Sequence, residues 1–184
     1  MRLRVSLTPP DVRSILPFVA FVAVLVPAAA LGTSTSRVVL PADSLELAVL
    51  DELNGARAEY GLRPLRPNVR LATAAEEHSV DMVESGYFAH ESSDGSVFSN
   101  RIKRFYSPRT KPGAWSVGEN LLWQTQSVSA RTAVRAWLRS PGHRANLLRP
   151  SFRDVGIAAV RAVRAPGVFG HRRVVVLTVD FGVR

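Results

Sequence analysis

Apolar side chains recur at intervals of three and four along two long stretches, and alternate or run together along two others near the end of the chain. Between positions 43 and 60, Leu45, Leu47, Ala48, Leu50, Leu53 and Ala56 follow a helical period that also takes in Arg57. With Asp43 or Ser44 as cap and Gly61 as stop, this spacing predicts a first helix. Gly61–Asn68 contains two prolines and reads as an irregular extended connector, because each proline restricts the residue before it. Asn68 then caps a second helix over about Val69–Ser85, in which Leu71, Ala74, Ala75, His78 and Met82 share a face and which Gly86 ends. A short third helix is expected over Val97–Phe105 with Phe98, Ile102 and Phe105 inward, then an exposed loop at Ser107–Gly113. Trp115–Trp123 reads as a strand, and Ser129–Arg139 as a fourth helix. Val155–Val163 and Val174–Val183 read as two strong strands joined by a Pro-Gly hairpin loop, Arg164–Arg172. Helices come first and an antiparallel sheet closes last, the order of an α+β fold.

The first 36 residues stand apart. Arg2, Arg4 and Arg13 precede the almost charge-free run Ile15–Leu31, an arrangement of basic and apolar regions typical of export. Ala28-Ala29-Ala30 supplies the small residues at which a signal peptide is cut. The run is also close to the roughly 20 residues that span a bilayer, so a retained anchor is the other reading. Both place the remainder outside the cytoplasm. Residues 1–36 are therefore assigned to the export segment, 37–44 to a linker and 45–184 to one folded domain.

Composition narrows the chemistry. The chain has 184 residues, of which 46% are hydrophobic and 21% charged, enough for one globular domain beyond the export segment. It has no cysteine, which removes thiolate mechanisms and leaves any metal site to histidine, carboxylate and water. Setting aside three arginines and one aspartate in residues 1–36 leaves 21 basic and 14 acidic residues, a net charge of +7. Only Lys103 and Lys111 are lysines, so arginine carries nearly all of it. For an exported domain the acidic partners are anionic lipids and wall polymers rather than nucleic acid, while a solvated surface explains the same charge without a partner.

Three segments carry candidate chemistry: Gly86–His90 (G-Y-F-A-H), Val117–Trp123 (V-G-E-N-L-L-W) and Ser140–Leu148 (S-P-G-H-R-A-N-L-L). In the last, proline and glycine break a helix and set His143 at the head of a new turn. His78 lies on the apolar face of the second helix and reads as a hydrogen-bonded core residue. His171 in the hairpin loop reads as surface. No G-x-S-x-G elbow accompanies the serines, so a serine hydrolase is disfavoured. Asn54, Arg57 and Asn120 read as side chains that tie backbone carbonyls across layers. Trp115, Trp123 and Trp137 suit either a core or a cleft wall.

These segments, together with Leu53–Leu65, Ala74–Met82 and Asp154–Ala158 (D-V-G-I-A), occur in an order that resembles the CAP superfamily, the SCP-domain proteins that include cysteine-rich secretory, antigen-five and pathogenesis-related proteins. The absence of cysteine places the likeness in a bacterial branch. The resemblance implies a three-layer α-β-α sandwich with a small antiparallel sheet, and a central cleft floored by two histidines and two acids. Three positions carry over as His90, Glu119 and His143. The second acid falls on Ser140, which offers only a hydroxyl. Brought together, His90 and His143 suit weak binding of a divalent ion such as zinc, with Glu119 the candidate base if the protein is an enzyme. A polar network of purely architectural role is the other reading. The reading favoured over a metal-dependent hydrolase is a noncatalytic exported binding module for a lipid, a wall component or another protein.

Overall fold

The computed structural model describes residues 37–39, 44–108 and 115–184. Residues 1–36, expected as the export segment, the candidate cap Asp43 and most of the loop 107–113 lie outside the described residues.

The chain order is β1 (Arg37–Val39), α1 (Leu45–Glu59), β2 (Arg66–Pro67), α2 (Val69–Ser85), α3 (Phe98–Phe105), β3 (Ser116–Thr125), α4 (Ala130–Arg139), α5 (Pro141–Leu147), β4 (Asp154–Ala165) and β5 (Arg172–Val183). The strands make one sheet in the order β1-β4-β5-β3 with antiparallel neighbours, and β2 adds a two-residue parallel pair to β4. The long elements match their predicted spans to within about three residues. Two short strands depart from the prediction. Residues 37–39, expected as linker, pair with Val160–Ala162 of β4, and Arg66–Pro67, expected as irregular, pairs with Asp154 and Val155. Edge strands of two or three residues show no period of their own, and proline is tolerated there because an edge leaves its missing N–H unneeded.

Local chemistry accounts for the ends of the elements. The Asn68 side chain accepts bonds from Arg70 N and Leu71 N at the start of α2, and Gly86 closes that helix in the left-handed conformation, φ 75°. Ser44 heads α1 without a side-chain cap bond. On α1 the buried stripe is Val49, Leu53, Ala56 and Arg57, whereas Leu47 turns outward and is half exposed.

β5 is buried on both faces, and its alternation separates the layers. Val175, Leu177, Val179 and Phe181 pack with Val49 and Leu53 of α1, Trp137 of α4 and Leu147 of α5. Val174 and Val176 face the other way, toward Met82 and Val83 of α2. On that second side a smaller cluster joins Leu71 and Ala74 to Ile102 of α3 and to Tyr106, which follows it. Helices thus cover both faces of the sheet, giving the expected three-layer sandwich. α2 crosses so close to β4 that a Cβ on Gly156 would lie 2.0 Å from the Leu71 carbonyl carbon, so only glycine fits in D-V-G-I-A. That crossing carries His78 and Ser79 over the middle of the sheet, where Ser79 Oγ and Thr178 Oγ1 are 2.7 Å apart.

The layers are tied as read from the sequence. Asn54 bonds both ways with the Leu65 backbone at 3.1 and 2.8 Å. The buried Arg57 donates to the carbonyls of Arg63, Leu147 and Arg149. Trp137 is core, its indole N–H donating to Leu121 O at 3.0 Å. Trp123 packs edge-on against Phe169, and Trp115 donates to Tyr106 O at 2.8 Å.

Candidate functional site

The three residues of G-E-N point alternately to the two faces of β3. Gly118 and Asn120 face α5. A Cβ at Gly118 would meet Asn146 Oδ1 at 2.8 Å, so the missing side chain admits Asn146. Asn146 Nδ2 donates to Glu119 O at 3.0 Å and to Asn120 Oδ1 at 3.1 Å. Asn120 Nδ2 donates in turn to the His143 carbonyl at 3.0 Å. α5 begins with Pro141 at its first position and carries His143 in its first turn, so these amides fix where the imidazole stands.

Glu119 points to the opposite face and is fully buried. Its Oε1 takes the Nδ1–H of His90 at 2.7 Å, and its Oε2 pairs with the guanidinium of Arg101. The loop that holds His90 is itself pinned. His78 Nε2 bonds Ala89 O at 2.9 Å, and Arg101 donates to His90 O at 3.3 Å and to Ser92 Oγ at 3.0 Å. The His90 ring stands 6.5 Å from the His143 ring, centre to centre, and 6.1 Å from Phe98. The sequence segments thus bring His90, Glu119 and His143 to one place. Ser140 sits at the junction of α4 and α5, where its side chain caps neither helix.

Electrostatics differ among the three histidines. The bond to Glu119 raises His90 above the ordinary histidine value, and burial opposes it in part. Burial lowers His143, with His90 adding to the effect. His78 is lowered by burial even though Glu119 Oε2 is 4.0 Å away. It serves as a buried prop for the loop, in line with its core reading.

Arg101, Asn146 and Asp180 belong to the site without having been singled out by the sequence. Arg101 lies on the inward stripe of α3 with Phe98, Ile102 and Phe105, where a guanidinium signals a buried partner. Asp180 is the one acid in the apolar strand Arg172–Val183 and stands directly opposite Glu119 in the ladder. Both its oxygens are buried, and neither has a hydrogen-bond partner among the described residues.

The donor set suits a metal in part. His90 gives its Nδ1–H to a carboxylate and so keeps Nε2 for an ion, and a carboxylate behind the ring is the usual support of a ligating histidine. His143 is biased toward the neutral form that binds metal. No cluster of three or more ligating side chains occurs among the described residues, so the pair by itself would hold an ion only weakly. Two larger grooves lie away from the histidines. One of about 880 Å³ runs between α1 and α4, with Asp51, Glu52 and Glu59 facing Arg131 and Arg135. One of about 490 Å³ is lined chiefly by apolar residues, among them Leu47, Leu50, Val155 and Ile157. At the histidine site the half-exposed His90 stands over the buried Glu119.

The three-layer sandwich defines a class of α+β domain, and sequence comparison says which family of that class the chain belongs to. The chain belongs to the CAP family (Cysteine-rich secretory protein family), whose sequence profile matches residues 50–178. It is 32% identical over 118 residues to YkwD of Bacillus subtilis (strain 168), spanning 64% of this chain and 43% of that one. An extracellular protein containing an SCP domain from Bacillus anthracis str. Ames is similar at 26% identity and a TM-score of 0.57, over 79% of this chain and 44% of that one. The fold also matches an outer surface protein from Borrelia burgdorferi, with a TM-score of 0.64 at 17% identity, over 81% of this chain and 99% of that one. The chain spans less than half the length of the two Bacillus proteins. Among the described residues no helix is long and apolar enough to cross a membrane.

Proposed function

We propose that this chain is an exported binding module without catalytic turnover, whose paired histidines take a weakly held divalent ion or the polar end of a lipid, wall component or protein. The observation that carries the reading is the state of Glu119. A general base for water attack must reach a water in the open cleft. Glu119 is wholly buried, with one oxygen committed to His90 and the other to Arg101. What the cleft presents to a ligand is therefore the outer edge of two imidazoles, not a carboxylate. The apolar run Ile15–Leu31 and the likeness to an extracellular Bacillus anthracis protein support export.

Charge supplies the second half of the reading. Arg135, Arg139, Arg144 and Arg149 stand exposed along α4, α5 and the turn that follows, on the elements that carry His143. An anionic surface would be attracted to these arginines, and salt weakens the attraction.

Calorimetric titration with zinc tests the histidine pair. The native protein is expected to bind weakly and saturably, and the His90→Ala/His143→Ala double variant not at all. Identical heats from the two proteins would remove metal from the proposal. Vesicles of anionic lipid should bind more weakly as salt is added, and binding indifferent to salt counts against a charge-driven partner. Hydrolytic turnover that disappears both with a chelator and on Glu119→Gln would replace this reading with a metal-dependent hydrolase.

A further inference from the structure

The hairpin that joins β4 to β5 has no part in the histidine site. From Val155 to Val179 the sequence contains no acid but four arginines, and three of them, Arg164, Arg172 and Arg173, stand exposed about the turn. None of the three pairs with an acid among the described residues. At the crown a 3₁₀ turn, Gly167–Phe169, leaves Val168 56% exposed between them. Glu84, two residues before Gly86 on α2, sets one acid beside the contact described next, against three arginines.

The turn is held firmly from beneath. Phe169 is buried edge-on against Trp123, with ring centres 5.2 Å apart, while Val168 N donates to Gly86 O at 2.9 Å and His171 N to Ala165 O at 2.8 Å. A Cβ on Gly167 would come within 1.9 Å of Gly86 O, so this seat at the end of α2 requires glycine. Arg164 and His171 take left-handed backbone conformations, φ 63° and 56°, which residues other than glycine rarely adopt. The packing below thus fixes Val168 outward, and backbone strain of this kind is a pointer to function.

Two further observations say what faces the turn. β1 runs antiparallel to β4, with Arg37 opposite Ala162 and Val39 opposite Val160, so the chain enters the sheet at its hairpin end. The almost charge-free run Ile15–Leu31 ends six residues before that entry. The histidine site is elsewhere: Asp180, which stands opposite Glu119, lies eight residues beyond Arg172 along β5, about 26 Å at the rise of a strand. We propose that the β4–β5 hairpin is a membrane-docking surface, with Val168 entering the headgroup layer of an anionic bilayer and Arg164, Arg172 and Arg173 meeting its phosphates. A bilayer uses the apolar crown as well as the charge, whereas a dissolved polyanion uses the charge alone. The inference shares the export reading with the proposed function but not its histidine pair, so zinc titration and the hairpin test fail separately.

The chain has no cysteine, so Val168→Cys carries a single environment-sensitive fluorophore on the full-length protein. With mixed vesicles of phosphatidylglycerol and phosphatidylcholine its emission should shift to the blue, and with phosphatidylcholine alone it should not. The same label at Ser151→Cys, exposed before β4 at the other end of that strand, should stay in water. Each exchange of arginine for glutamine should weaken docking about fivefold, and Arg164→Gln/Arg172→Gln/Arg173→Gln on the order of a hundredfold. An unchanged urea midpoint shows that this variant is folded, and added salt should act in the same direction as the substitutions. A label at 168 that stays in water on anionic vesicles, an equal response at 151, or a triple variant that docks like the native protein would overturn the proposal. So would a blue shift in dissolved polyglutamate as large as that on vesicles, which would make the partner a polyanion and not a bilayer.

Discussion

The two faces of β5 are equally buried and differently made. On one face Val175, Leu177, Val179 and Phe181 meet Trp137, Leu147 and Phe152 in an apolar core, where the Trp137 indole finds its partner in Leu121 O. On the other, Val174 and Val176 give way along the same strand to Thr178 and Asp180, which meet Ser79, Glu119, Arg101 and His78. The first face shows that this sheet can be closed by apolar packing. The polar half of the second adds desolvation costs that the fold does not require, since buried ion pairs are often no more stabilising than hydrophobic replacements. Its product is position: the bonds made there lead to the loop that carries His90 or to Glu119 beneath it. The polar end of one face is therefore where stability has been exchanged for a fixed surface group.

The two largest predicted effects test that contrast directly. Trp137→Ala should destabilise by about 3–5 kcal/mol through cavity formation, with little dependence on pH. Arg101→Met should cost about as much, on the order of 3–5 kcal/mol, because it leaves the buried Glu119 with only the bond to His90 and no guanidinium partner. The second substitution also frees the carboxylate and the loop that hold His90, so zinc binding by calorimetry should weaken, whereas Trp137→Ala should leave it largely unchanged. Urea denaturation and zinc titration of both variants separate them. Equal effects on zinc binding would mean that the two faces do not differ in kind.

A smaller effect is expected where α5 is joined to the sheet. Asn146→Ala removes the donors to Glu119 O and Asn120 Oδ1, for about 1–3 kcal/mol. It also frees the turn carrying His143, so zinc binding by calorimetry should weaken by more than the stability loss explains. A variant that is destabilised but binds zinc normally would show that α5 is placed by packing of Leu147 rather than by the amide network.

Much of this is legible in the sequence because period and punctuation are local. α2 runs between a capping Asn68 and a left-handed Gly86, both visible as residue types, and its span agrees with the prediction to the residue. Asn54, Arg57 and Asn120 are legible as layer ties because each polar group falls on an otherwise apolar stripe. β1 and β2 are hidden, since two or three residues carry no period. The site divides in the same way. His90, Glu119 and His143 sit in recognisable motifs, but which residue stands across from Glu119 is set by the register of β3 on β5, and register is a long-range property. Asp180 therefore stands in plain view as one acid in an apolar strand without disclosing its neighbour. Ser140 is expected in the cleft from its place in a motif, and its backbone joins the two helices at the junction it occupies.

The smallest predicted effect comes from repeating the buried chemistry at the surface. Arg131 Nε and Glu52 Oε1 are 3.3 Å apart across the groove between α1 and α4, and their side chains are 67% and 37% exposed. Arg101 and Glu119 make the same guanidinium–carboxylate pair at 1% and 0% exposure. Water and salt screen the outer pair, and fixing two long side chains offsets what attraction remains, so Glu52→Gln should cost no more than about 1 kcal/mol and less as salt is added. Glu119→Gln, unlike it, should respond little to salt, because ions do not enter its enclosure. If the two substitutions proved equally small and equally salt-sensitive, water would be reaching Glu119. The acid beneath His90 would then be open to a ligand after all.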